Sequence, residues 1–93
     1  MAINAVNYEV VYSEKAAAAL KKMDKAVSDM IKKRADALST RPPTRSLKKH
    51  PDVMILEIGQ YRALYMIDEG KKIKTVFFVG DHKEYKKLYG KMF

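Results

Sequence analysis

A chain of 93 residues with no cysteine and a formal net charge of +8 suits one basic domain, residues 1–93, with a single core and neither disulfides nor thiolate metal sites. Its apolar fraction of 47% and charged fraction of 32% are those of a folded globular protein, and no run approaches the ~20 apolar residues that span a bilayer. Two separated histidines, His50 and His82, are too few for a zinc site, and Met1–Ala5 lacks the basic start and apolar run of a signal peptide, so the expectation is a cytoplasmic protein with no metal, no cofactor and no membrane contact.

Residues 6–12, rich in Val and Tyr, read as a strand. Ser13 follows as a helix N-cap, with Glu14 well placed against the helix dipole and Ala16–Leu20 in a short helix of high propensity. Asp24 opens a second helix, in which Val27, Met30, Ile31 and Leu38 recur at helical spacing near Ala35, with Lys25, Asp29, Lys32, Lys33 and Asp36 opposite. The two make a helical hairpin that packs on a sheet. Pro42-Pro43 ends it, and residues 41–52 form a basic connecting loop. Three strands follow, at 53–58, 61–68 and 73–79, joined by Gly59-Gln60 and by Glu69-Gly70-Lys71-Lys72. A short helix over 82–90 closes the chain, with Tyr85, Leu88 and Tyr89 on one side. The order is strand, helical hairpin, three-stranded antiparallel meander and C-terminal helix, an α+β fold.

The charge is unevenly spread. Residues 1–40 hold seven Lys/Arg against five Asp/Glu, and residues 41–93 hold twelve against six. A positive field over one region captures polyanions, and binding to single-stranded RNA would weaken by roughly 0.7 log units per phosphate contacted for each log unit of salt. Solubility alone also accounts for surface lysines.

Within strand 61–68, Arg62, Leu64, Met66 and Asp68 share one face and Tyr61, Ala63, Tyr65 and Ile67 the other. Arg62 thus sits among apolar neighbours beside a tight turn. Its planar guanidinium can hold a phosphate, or it can snorkel or pair with Glu57 across the hairpin. His82 lies two residues past Val76-Phe77-Phe78-Val79, with Gly80 permitting a sharp exit. An imidazole there can serve as general acid or base, or simply begin a helix. Tyr61, Tyr85 and Tyr89 offer platforms for unstacked bases, whereas Tyr65 belongs to the core. Arg41, Arg45, Lys48 and Lys49 form a basic cluster suited to phosphates or to solvent, with His50 beside them.

Gly59-x-Tyr61-Arg62-x-x-Tyr65, the Leu47-Lys48 stretch, Val79-Gly80 and the final segment with His, Lys and Tyr resemble the RelE/ParE superfamily of toxin–antitoxin toxins, the RelE branch in particular. The likeness covers nearly the whole chain. It implies a microbial-RNase-like fold whose members enter the ribosomal A site and cleave messenger RNA without metal, the ribose 2′-hydroxyl attacking the adjacent phosphate and the 5′-oxygen leaving. Arg62 matches the arginine that holds the phosphate, His82 a residue used in proton transfer, and Tyr85 or Tyr89 a functional tyrosine. Arg45, Lys48, Lys49, His50, Lys83 and Lys86 would then contact RNA.

The chain departs from the RelE pattern on the strand before the hairpin, which carries two lysines in that branch and none here. Glu57, or Lys48, Lys49 or His50 from the loop, would supply the base, or the site is degraded. Asp81-His82-Lys83 likewise replaces the branch's last-helix arginine. The resemblance further implies a RelB-like antitoxin, the ribosome and messenger RNA as partners, and a toxin–antitoxin assembly that binds operator DNA through the antitoxin. A ParE-like toxin that binds DNA gyrase without catalysis is the alternative, since the missing lysines fit it.

Overall fold

A computed structural model describes residues 7–40, 46–47 and 50–92. The elements in order are β1 (Glu9–Tyr12), α1 (Glu14–Lys22), α2 (Lys25–Asp36), a 3-10 turn (Ala37–Ser39), β2 (Ser46–Leu47), β3 (His50–Ile58), β4 (Tyr61–Asp68), β5 (Ile73–Asp81) and α3 (His82–Met92). The expected α+β order holds. The meander β3–β4–β5 is the centre of a five-stranded sheet ordered β1-β5-β4-β3-β2, in which β1 lies parallel to β5 and β2 antiparallel to β3. β1 is Glu9–Tyr12, so residues 7 and 8 of the expected strand 6–12 are not part of it, and residue 6 lies outside the described residues.

Ser13 caps α1 as its sequence context predicts, its hydroxyl accepting from Ala16 N–H at 3.1 Å. α1 and α2 cover one sheet face. Ala16, Leu20, Ile31, Ala35 and Leu38 pack there on Ile58, Ala63, Tyr65, Val76 and Val79. α3 covers part of the other face, where Tyr85, Leu88 and Tyr89 lie on Val53, Ile55 and Leu64. The β4 alternation therefore divides as expected, with Ala63 and Tyr65 facing the helical hairpin and Leu64 facing α3.

Four expectations change. Met30 is not part of the α2 stripe: it is 42% exposed, and Ser28 is buried beside Ile31 and Ala35 instead. The buried row is centred on Ile31, and Met30 lies one residue, about 100°, off it. The supposed loop 41–52 contains β2 and the start of β3, so the backbone of His50 is paired with Leu47. β5 reaches Asp81, so Gly80 is a strand residue and not a sharp exit. Finally, β5 is bulged. Leu64 pairs with Phe78 but Tyr65 pairs with Val76, which leaves Phe77 as the extra residue. The bulge lets Val76 and Val79, three apart, pack on the same cluster.

One lysine is part of the core boundary. Lys74, 1% exposed, donates from Nζ to the Leu38 carbonyl at 2.7 Å and lies 4.6 Å above the Tyr8 ring. Burial lowers its pKa, and the Glu69 charge opposes that shift. Tyr8 N–H meets the Ser39 carbonyl at 2.8 Å. Two carbonyls of the 3-10 turn, which have no helical continuation to bond, are thus both satisfied from the β1–β5 edge.

Candidate functional site

The β3–β4 turn is two residues long, with Ile58 opposite Tyr61 and Glu57 opposite Arg62. Gly59 takes a φ of +59°, a left-handed conformation suited to glycine. That register puts Glu57 and Arg62 side by side on the face that α3 covers. Arg62 Nε stands 3.5 Å from Glu57 Oε2, with the arginine side chain 16% and the glutamate side chain 45% exposed. Arg62 Nη1 donates to the Gly59 and Tyr61 carbonyls, each at 2.9 Å. The ion pair is open to solvent and contributes at most about 1 kcal/mol. Its effect is to orient the guanidinium.

Gly80 is the residue opposite Arg62 on β5. A Cβ built there would lie 2.8 Å from Phe78 Cζ and 3.0 Å from Glu84 Cβ. The glycine is needed so that α3 can start against the strand. Gly80→Ala is expected to destabilise the fold by about 1–3 kcal/mol through overpacking, with shifts in the amide resonances of α3. Chemical denaturation and an amide NMR spectrum check both, and an unaltered spectrum would show that the ring moves aside freely.

α3 begins with a reciprocal cap. Glu84 N–H donates to Asp81 Oδ1 at 2.8 Å, and Asp81 N–H donates to Glu84 Oε1 at 3.1 Å. Such a box is worth about 0.5–2 kcal/mol. It fixes His82 as the first residue of the helix, and His82 N–H donates to the Gln60 carbonyl at 3.0 Å. The same two-residue turn therefore holds Arg62 through Gly59 and His82 through Gln60. The Asp81-x-x-Glu84 spacing carries this signal in the sequence.

From His82 an aromatic row runs along α3. His82 and Tyr85 stack at 6.4 Å and 30°, and Tyr85 and Tyr89 tilt at 5.9 Å and 42°. Both tyrosines are half-buried against the cluster of Ile55 and Leu64. Tyr61 packs on the opposite, helical-hairpin face, away from this row. Tyr65 is core, 1% exposed, and burial raises its phenol pKa above the ordinary value. Lys83 and Lys86 are exposed on α3. Arg41, Arg45, Lys48 and Lys49, and the side chain of His50, lie outside the described residues. Among the described residues, no group of three or more acidic or histidine side chains is placed to hold a metal, and no helix is long and apolar enough to cross a membrane.

This end of the sheet can supply a carboxylate, a guanidinium and an imidazole around an anion, next to aromatic faces. Comparison with known proteins adds the following. A sequence model of the ParE toxin of type II toxin–antitoxin systems, parDE, matches residues 10–85. Among solved structures, the toxin–antitoxin complex RelBE2 of Mycobacterium tuberculosis is similar at 24% identity, over 82% of this chain and 92% of that one, with a TM-score of 0.70. A double mutant of E. coli RelE in the free state is similar at 23% identity, over 90% and 92%, with a TM-score of 0.75. The intact E. coli RelBE complex matches at 24% identity, over 80% and 95%, with a TM-score of 0.69. A comparison with the curated proteins finds no match.

Proposed function

The chain belongs to the ParE toxins of type II toxin–antitoxin systems, within the RelE/ParE superfamily, and on that premise we propose that it is a ribosome-dependent endoribonuclease. It cuts messenger RNA in the A site, acts in the cytoplasm and is silenced by its cognate antitoxin. The observation that carries this reading is the Glu57–Arg62 contact on the face beneath α3, at the turn that also holds His82.

The roles follow from the chemistry of the groups. Glu57 accepts the proton of the ribose 2′-hydroxyl. The 2′-oxygen then attacks the adjacent phosphorus, and Arg62 stabilises the charge that grows on the phosphoryl oxygens. The bond from phosphorus to the 5′-oxygen breaks, and His82 gives that oxygen a proton, leaving a 2′,3′-cyclic phosphate. Tyr85 and Tyr89 offer ring faces to the splayed bases, and Lys83 and Lys86 contact phosphates. Glu57 thereby fills the place of the lysines that β3 lacks.

The ParE match and the absence of lysine on residues 53–58 favour a second reading, a toxin that binds DNA gyrase without chemistry of its own. Induced expression in bacteria separates the two. The endoribonuclease predicts that amino-acid incorporation stops first while chromosomes stay intact. Broken DNA with translation continuing would establish the gyrase reading in its place.

A further inference from the structure

The cleavage step leaves its two proton carriers in the wrong states for another turn. Once the 5′-oxygen has departed, Glu57 holds the proton of the 2′-hydroxyl and His82 has lost its own. Exchange with solvent would reset them, and so would a second reaction at the same phosphorus.

The sheet order puts both groups where that reaction needs them. β4 lies between β3 and β5, so Arg62 faces Glu57 across one side and Gly80 across the other. Glu57 Oε2 stands 3.5 Å from Arg62 Nε. His82 follows at the end of β5, with its N–H on the Gln60 carbonyl at 3.0 Å and the Asp81–Glu84 cap around it. Its ring stacks on Tyr85, part of the cluster with Leu64 on the face that carries Arg62. Gly80 sends no side chain into the space beside the arginine.

A carboxylate and an imidazole therefore flank the guanidinium from opposite strands. Displacement at phosphorus places the entering and leaving oxygens in line, on opposite sides. Each flanking group is then the base for one direction of attack and the acid for the other. Glu57 and His82 are both exposed, which gives water a path to the side that the 5′-oxygen vacates. An imidazole both yields and accepts a proton near neutral pH, whereas a guanidinium stays protonated.

We propose that the chain also hydrolyses the 2′,3′-cyclic phosphate that it makes, so that its finished product is a 3′-monophosphate. His82 takes a proton from water, and the water oxygen attacks phosphorus while Arg62 holds the phosphoryl oxygens. The bond from phosphorus to the 2′-oxygen breaks, and Glu57 gives that oxygen its proton. One water is consumed. Glu57 ends as a carboxylate and His82 as an imidazolium, the states in which cleavage began. The inference rests on the endoribonuclease reading and adds a cyclic phosphodiester to the substrates of the same site.

The test presents the second step alone. Ribosomes carry a message whose 3′ end lies in the A site and already bears a 2′,3′-cyclic phosphate, and the full chain is added. Phosphatase treatment reads the outcome, because it removes a 3′-monophosphate and leaves a cyclic diester. The expected product is the 3′-monophosphate without its 2′ isomer, formed by the native chain and not by Arg62→Ala. His82→Arg should lower ring opening by about 10²–10⁴-fold. The same variant should still cut intact messages with a smaller loss, since arginine supports charge on the leaving oxygen but takes no proton from water. Ends that stay cyclic with the native chain, or equal losses of both steps in His82→Arg, overturn the proposal. Intact messages cut to lasting cyclic ends refute this inference and leave the endoribonuclease. Ring opening with intact messages left uncut does the reverse.

Discussion

Arg62→Ala is expected to lower message cleavage by about 10²–10³-fold while ribosome co-sedimentation stays near that of the native chain. A preorganised donor aimed at charge that develops in the transition state is typically worth that much, and it contributes little to ground-state binding. The guanidinium is held in place by two carbonyls at 2.9 Å and by Glu57 at 3.5 Å. Arg62→Lys should recover only part of the rate. An ammonium is a point charge, and it cannot bond both turn carbonyls and still offer a planar edge to a phosphate. Chemical denaturation controls for the lost turn contacts. Cleavage and ribosome binding falling together would reduce Arg62 to a binding contact.

His82→Gln is the second large effect. Loss of a general acid costs about 10²–10⁴-fold in rate. Glutamine suits the test because the bond from residue 82 to the Gln60 carbonyl is made by the backbone, and the Asp81–Glu84 cap does not involve the side chain at 82. Helix α3 should therefore keep its start. Single-turnover cleavage measures the loss, and an undiminished rate would leave His82 as a helix residue with a stacked ring and no part in proton transfer.

Where the fold was legible, one local periodicity governed the outcome. The alternation in β4 put Tyr65 in the core and Arg62 with Leu64 on the opposite face, because side chains on a strand alternate until a bulge intervenes. The two-residue turn made Glu57 the neighbour of Arg62 by counting alone. Reading failed where the pattern carried no phase. Val76-Phe77-Phe78-Val79 is apolar throughout, so nothing marked Phe77 as the bulged residue. The place of β1 beside β5 joins residues more than sixty apart, and no local signal encodes it. His50 stood in a run of basic residues that reads as loop, yet its backbone begins β3. Gly80 suggests a sharp exit from the strand because glycine permits turns, whereas it answers a steric need, the approach of Phe78 and Glu84. The turn that pairs Glu57 with Arg62 was legible; the Asp81–Glu84 cap and the bond from His82 N–H to the Gln60 carbonyl were not.

The most direct measurement is primer extension on a defined messenger RNA in a purified translation system, with the native chain and with Arg62→Ala. The account predicts new 5′ ends that appear only while ribosomes translate, at positions set by the A site, and that vanish with the variant. A message left intact while protein synthesis runs normally would contradict it.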